Sequence, residues 1–325
     1  MPVIVDCHND TPVLMMLRQE ELGPQGNPAY FDGWVGEAEA AGLALQVLPL
    51  YASPSPPEAA LRSVLHQLAL VRAAAGDRLV TRGADVDRSD LGVVLALEGM
   101  AYVGGDVWAL DLLASLGVRM ASLTHWGRND LADGTVDETA GGRLSAAGVK
   151  VVRRLTDLGI ILDVSHLAAA CVDHALELVS GPVVASHSGA RAVLDHHRNL
   201  SDRHLQAIAE TGGVACAIVF APFVDREQPT VDRVVDHLAH MVEVAGIDHV
   251  GVGSDFIADW VDELYPSYGR FVLFDDADLK ARVPGVERTG DLPVLREALE
   301  RRGFSEHEAA AVLGGNLLRL FRDRL

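Results

Sequence analysis

The stretch Ile160-Ile161-Leu162-Asp163-Val164-Ser165-His166 is a short apolar run that ends in polar, metal-capable side chains. It lacks the apolar-polar alternation of a strand with one wet face, and so reads as a strand buried on both sides. The same design recurs along the chain. Strand-like runs rich in Val, Ile, Leu and Ala cover Val3–Cys7, Leu43–Leu50, Gly92–Leu97, Arg119–Thr124, Pro182–Ala185, Gly213–Val219 and Val250–Gly253. Helix-length amphipathic segments separate most of them. Glu58–Ala75 carries Leu61, Val64, Leu65, Leu68 and Val71 on one face, and Gly76 stops it. The segment of Val231, Val234, Val235, Leu238, Met241 and Val242 has the same spacing, with Thr230 as its N-cap. Ser305-x-x-Glu308 reads as a capping box, and Asp291 as the cap of a helix ending at Gly303. About eight buried strands alternating with helices predict an α/β fold, a single (β/α)8 TIM-like barrel spanning residues 1–325. A doubly wound open sheet is the alternative, weakened because no GxGxxG follows the first strand. Tyr51–Pro57 and Asp259–Thr289 are the longest irregular stretches, the second a candidate lid or a solvated loop.

Composition narrows the class. The 325 residues include 27 Lys+Arg against 46 Asp+Glu, a net charge of −19, with 49% hydrophobic and 22% charged residues. That is ordinary globular composition. The acidic balance argues against nucleic-acid binding, which needs basic clusters. No apolar run reaches the ~18 residues of a membrane span, and the opening Met1-Pro2-Val3-Ile4-Val5-Asp6 has no basic leader. Cys7, Cys171 and Cys216 are odd in number and far apart, as expected of free thiols in a reducing cytoplasmic compartment.

The polar residues cluster where a barrel places its chemistry. Six of the strand-like runs finish in His, Asp or Glu: His8 and Asp10, Glu98, His125, Asp163 and His166, His187, and Asp255. In a barrel these ends meet on one face. The mix of imidazole and carboxylate suits Zn²⁺ or a similar divalent ion. His8 and Asp10, two apart on an extended chain, face the same side, which sends Asn9 into the packing and makes Cys7 a small packing residue. Taken singly, a strand-end histidine is usually a hydrogen-bonded packing group, and a strand-end glutamate binds backbone N–H groups. Their joint occurrence on successive strands argues for a metal site. Of the other histidines, His237 and His240 flank an apolar helix stripe and read as solvated, and His66, His174, His204 and His307 carry no assigned chemistry. His249 begins the eighth run, the wrong end for catalysis, and His196 and His197 adjoin Arg198.

These residues, with Leu123-Thr124-His125, Ser186-His187-Ser188, Arg198-Asn199-Leu200-Ser201-Asp202, Gly253-Ser254-Asp255-Phe256 and Gly314-Gly315-Asn316, occur in an order that resembles the membrane (renal-type) dipeptidases, zinc peptidases with a barrel fold. The resemblance spans nearly the whole chain and is nearest to the shorter bacterial members. It implies that His8 and Asp10 hold one zinc, His166 and His187 a second, and that Glu98 bridges them. His125 would polarise the scissile carbonyl, Arg198 would pair with the free carboxylate of a dipeptide, and Asp255 would move the proton. The implied reaction is hydrolysis of L,L dipeptides, with L,D dipeptides as a second stereochemical option, by a hydroxide bridging two zinc ions, in a homodimer. The family commonly continues its Ser-Asp-Phe with Asp-Gly, whereas here Ile257-Ala258-Asp259-Trp260 follows, beside the expected substrate pocket. Two other readings stand beside this one. A barrel metallohydrolase could act on another amide, lactone or ester such as an N-acyl amino acid, which would not require Arg198. A non-catalytic metal-binding protein would not need the complete residue set.

Overall fold

A computed structural model of the chain describes residues 3–52, 56–257 and 280–325, the stretch 19–28 by its backbone alone. Eight strands close into a parallel barrel in chain order: β1 (Ile4–Asp6), β2 (Leu43–Tyr51), β3 (Gly92–Glu98), β4 (Val118–Ser122), β5 (Ile161–Asp163), β6 (Val184–Ser188), β7 (Val214–Ile218) and β8 (Val250–Gly253). The seam is thin: β1 and β8 meet at the single pair Asp6↔Val252. At the end of β8 the backbone passes so close to β6 that a Cβ on Gly253 would lie 1.8 Å from the Ser186 carbonyl oxygen. Only glycine fits there. The barrel expectation is met, and the open sheet is excluded.

Two apolar layers hold the barrel. Val5, Cys7, Leu45, Val47, Val94, Met120, Ile161, Val214 and Cys216 fill its interior together with Leu317 and Phe321. Those last two come from the C-terminal helix Asn316–Arg324, which plugs the end of the barrel remote from the strand C-termini. Asn316 Nδ2 donates to the carbonyls of Ile247 and Val250 (2.7 and 2.8 Å), tying the plug to the start of β8. A Cβ on Gly314 would meet the Val3 carbonyl at 2.4 Å, so the Gly314-Gly315-Asn316 sequence is what lets the plug seat. The larger layer lies between the strands and the surrounding helices. All three cysteines are buried and free. Among the described residues no helix is long and apolar enough to cross a membrane.

The local expectations divide. The Ser305–Glu308 capping box is present, Thr230 caps Val231–Ala245, and the helix over Pro57–Ala75 ends at Gly76. Asp291 is not a cap: it lies in a 3-10 turn, its carboxylate accepts from the Glu287 amide, and the next helix starts at Val294 behind Pro293. Proline suits a helix start, which moves the onset past Asp291. β6 runs later than Pro182–Ala185, because Ser186, His187 and Ser188 stay in the ladder with their polar groups bonded internally. A 22-residue helix, Gln19–Ala40, was hidden by its glycines and prolines. Packing of Phe31, Val35 and Ala38 into the core overrides that poor propensity. His237, expected in solvent, is fully buried (0% exposed). The Ala190 amide donates to its Nδ1 (2.9 Å) and its Nε2 donates to the Val224 carbonyl (3.0 Å), so it braces the loop that follows β6. His240 is partly exposed and bonds Asp202 (2.7 Å). The candidate lid and the Ile257–Trp260 departure lie mostly outside the described residues, as do positions 53–55.

Candidate metal centre

The barrel mouth gathers all eight site residues singled out from the sequence. His8 and Asp10 follow β1, Glu98 ends β3, His125 follows β4, His166 follows β5, His187 lies within β6, Arg198 sits in the loop after β6, and Asp255 follows β8. Glu98 Oε1 is the hub. It lies 3.2 Å from His166 Nε2, 3.5 Å from His8 Nε2, 3.6 Å from His187 Nε2 and 4.0 Å from His125 Nε2. His8 Nε2 is also 3.9 Å from Asp10 Oδ1 and 3.8 Å from Asp255 Oδ1. His166 Nε2 and His187 Nε2 approach to 2.7 Å. Asn9 turns away, as expected, and its Nδ2 donates to Thr289 Oγ1 (3.2 Å).

Two of these residues hold an uncommon backbone conformation. His166 has φ +67° and Asp255 has φ +55°. Such strain in non-glycine residues persists only where neighbours enforce it, and it concentrates at functional sites. The Asp255 amide donates to the His8 carbonyl (3.0 Å), while the Thr135 amide and Thr124 Oγ1 both donate to the His166 carbonyl (3.0 Å each).

The electrostatics favour a cation. Burial holds His8 down to about 3, with the Arg198 charge adding to it, and pushes His125, His166 and His187 well below the ordinary imidazole value. These rings are therefore neutral at pH 7, and their contacts with Glu98 are not ion pairs. Burial likewise raises Glu98 and Asp10 well above the usual carboxylate range, each worsened by a neighbouring carboxylate, and lifts Asp255 to about 6. Neutral ring nitrogens and buried carboxylates around one point make a donor set for divalent ions. His8 Nε2, buried and without a hydrogen bond, fits that role. Three overlapping groups, His8–Glu98–His187, Glu98–His125–His166 and His8–Asp10–Asp255, each bring ligand atoms within 4.8 Å of one another.

The sign of the pH dependence follows. Bound metal requires ionised carboxylates, whereas the imidazoles resist protonation until far lower pH. Metal should therefore be released in acid through protonation of the ligand carboxylates Glu98 and Asp10, which burial raises, before the buried imidazoles, which burial lowers, take up protons. Metal content after dialysis at stepped pH from 8 to 4 checks this. Full retention at pH 4 would contradict it.

Sequence reading missed the supports. Tyr51 at the end of β2 places its ring 4.7 Å from that of His125, and Trp126 meets His125 and His166 edge-on. Phe223 lies beneath the Arg198 guanidinium at 5.6 Å. Asp6 Oδ2 accepts from Ser254 Oγ (2.6 Å), and Asp6 Oδ1 accepts from the amides of Ser254 (2.7 Å) and His8 (3.2 Å), bracing the β1–β8 seam. The one available signal was the position of Ser186 and Ser254, each directly before a site residue.

A closed parallel barrel with imidazoles and carboxylates converging at its C-terminal mouth defines the class: a (β/α)8 barrel whose mouth carries side chains able to hold a divalent ion. The family model of the membrane dipeptidases, peptidase family M19, matches residues 1–267, and the chain belongs to that family. Dipeptidase verJ of Clonostachys rogersoniana is 31% identical over 230 residues, covering 70% of this chain and 54% of that protein. An uncharacterised dipeptidase of Schizosaccharomyces pombe is 33% identical over 242 residues, covering 73% and 54%. The chain thus spans about half the length of the curated relatives it matches. Among solved structures, a dipeptidase described as a metallo-peptidase of family M19 superposes with a TM-score of 0.82 at 25% identity, covering 100% of this chain and 99% of that one. A phosphotriesterase from Mycobacterium tuberculosis, at TM-score 0.55 and 15% identity, shares the fold alone.

Proposed function

We propose that the chain is a zinc-dependent dipeptidase that hydrolyses dipeptides bearing a free C-terminal carboxylate, with two ions held by His8, Asp10, Glu98, His166 and His187. The observation that carries this reading is Arg198. Its guanidinium is buried (2% exposed) at the edge of the donor cluster, with Nη2 3.2 Å from His166 Nε2. Nη2 also donates to the His187 carbonyl (2.9 Å), and Nε is without a hydrogen bond. A planar cation fixed beside a hydrolytic centre suits recognition of a carboxylate held close to the scissile bond. Burial lowers Arg198 only to about 10, so it stays charged.

Two divalent ions held at this cluster would supply a water with its pKa lowered from ~15.7 toward ~7 and would polarise a carbonyl. The remaining work falls to the chain. Asp255, held near 6 by burial, accepts a proton at its carboxylate near neutral pH and returns it to the leaving nitrogen. His125, kept neutral, polarises the carbonyl oxygen as it becomes negative. Arg198 orients the dipeptide by its C-terminus and excludes longer or blocked substrates. One domain over residues 1–325, a cytoplasmic location consistent with three free thiols, and a homodimer complete the reading.

Zinc-loaded protein is to be tested on L,L and L,D dipeptides with C-terminally amidated copies alongside. Cleavage of free acids with the amides spared is the expected result. Absence of any dipeptide cleavage by protein holding two metals per chain would overturn the proposal and turn attention to other amide or ester substrates.

A further inference from the structure

We propose that Asp163 and Ser186 are positioning residues that fix the proton of His187 on Nδ1, leaving Nε2 free to face the metal ions. The inference rests on the metal-centre reading above and deepens it. Asp163 ends β5, and Ser186 lies in the adjacent strand β6, one residue before His187. Ser186 Oγ is 2.5 Å from Asp163 Oδ2 and 2.7 Å from His187 Nδ1. Asp163 Oδ1 accepts from the amides of Ser165 (2.9 Å) and Ser186 (3.0 Å). The His187 amide donates to Ser165 Oγ (3.2 Å), which itself lies 3.3 Å from Ser186 Oγ. All four residues are buried.

The donor count sets the direction. A carboxylate offers only acceptors, so the Ser186 hydroxyl gives its one proton to Asp163. Its lone pairs then accept, and the proton they receive is Nδ1–H of His187. Nε2 is left unprotonated, 2.7 Å from His166 Nε2 and 3.6 Å from Glu98 Oε1. The carboxylate thus acts on the ring through a hydroxyl. A second pair elsewhere in the barrel differs in this respect. Asp6 and Ser254 make the same carboxylate–hydroxyl bond, but the other group near Ser254 Oγ is the His8 carbonyl (3.0 Å), an acceptor that can only compete for the one hydroxyl proton, so that pair relays nothing to a ring nitrogen.

Asparagine at 163 reverses the relay. Its carbonyl keeps the two amide donors, its NH2 faces Ser186 Oγ, and the hydroxyl must then donate to His187 Nδ1. That drives the ring proton onto Nε2, toward the metal. The test uses the full chain as Asp163→Asn and Ser186→Ala. ¹⁵N spectra of histidine-labelled, metal-free protein read the tautomer directly, and chelator competition reads each zinc separately. We expect His187 to be Nδ1–H in the parent and Nε2–H in Asp163→Asn. One zinc should weaken by about 10–100-fold in both variants while the other holds, the usual effect of removing a group that orients a metal-binding histidine. An unchanged His187 tautomer in Asp163→Asn, or parental affinity for both ions, would overturn the inference. So would equal weakening of both ions or failure of both variants to fold, since either marks the pair as scaffold. If Ser186→Ala alone fails to fold, the isosteric Asp163→Asn decides. Parent protein that binds fewer than two ions would count against the proposed function, while the tautomer spectra would still judge this inference.

Discussion

Glu98→Gln should abolish most activity while making the metal-free chain more stable. The carboxylate is shared by four imidazoles, and its nearest ring nitrogen is His166 Nε2 at 3.2 Å. Gln keeps the shape but loses the charge and one of the acceptor oxygens. Losing a group at the centre of the donor set should exceed the 10–100-fold effect typical of groups that merely orient ligands, so a fall in kcat/KM of at least ~100-fold is expected. The stability effect has the opposite sign. Burial, then the neighbouring Asp10 and Asp255, raises the Glu98 pKa well above its ordinary 4.5. A carboxyl whose folded pKa is raised contributes its full stability in acid, and that stability is lost as pH rises from the unfolded value toward the folded one. Neutral Gln escapes this penalty, so its advantage should be near zero at pH 4.5 and grow toward pH 8. The metal-free Glu98→Gln chain should therefore melt at a higher temperature than the parent at pH 8 and at nearly the same temperature at pH 4.5. Thermal melts of both metal-free proteins across that pH range, with zinc content and dipeptide turnover of the loaded forms, check both halves. Equal melting temperatures at pH 8, or full activity with two zinc ions retained, would remove Glu98 from the centre of the site.

Arg198→Lys should destroy the preference for a free carboxylate while leaving a positive charge in place. Arg198 donates to the His187 carbonyl and approaches His166 Nε2 and Ser188 Oγ (3.4 Å), with the Phe223 ring 5.6 Å away. A lysine ammonium is a point charge that neither stacks on the ring nor presents two parallel donors. Breaking a buried charge pair costs about 2–5 kcal/mol, so kcat/KM for free-acid dipeptides should fall by ~100-fold or more, chiefly through KM. Amidated dipeptides, lacking the carboxylate, should change far less, so the ratio between the two substrate sets collapses. The guanidinium is also one of the charges that hold the His8 and His166 pKa values down, so zinc content must be measured beside turnover. A ratio that survives the substitution in a fully loaded variant would move carboxylate recognition to another residue.

Much of this was legible because the chemistry sits where strands end. Buried parallel strands are continuous apolar runs, and a polar residue closing such a run is conspicuous: Glu98 after Val93-Val94-Leu95-Ala96-Leu97 is visible without any fold. The i, i+2 relation of His8 and Asp10 could be read for the same reason, and the structure keeps both facing the cluster. Chain order and strand count carried the closed barrel. What could not be read depended on partners distant in sequence. Asp6 bonds Ser254, 248 positions away, and Asp163 bonds Ser186, 23 positions away. Period and propensity describe a residue's own neighbours and say nothing of such pairs. His237 misled for that reason: its helix stripe implied a wet face, but the loop after β6 folds back over it and uses both ring nitrogens. Helix Gln19–Ala40 ran against its own glycines and prolines and was decided by burial of Phe31 and Val35. The sequence by itself thus determined which side chains stand at the barrel mouth, because parallel strands all point one way and the polar residues lie at or just after their C-terminal ends. Only the tertiary structure decided their state. Closure of the barrel buries the four imidazoles neutral, raises Glu98 and Asp10 together, and sets a carboxylate and a hydroxyl behind His187. Desolvation and hydrogen-bond direction exist only once the surrounding strands have come together.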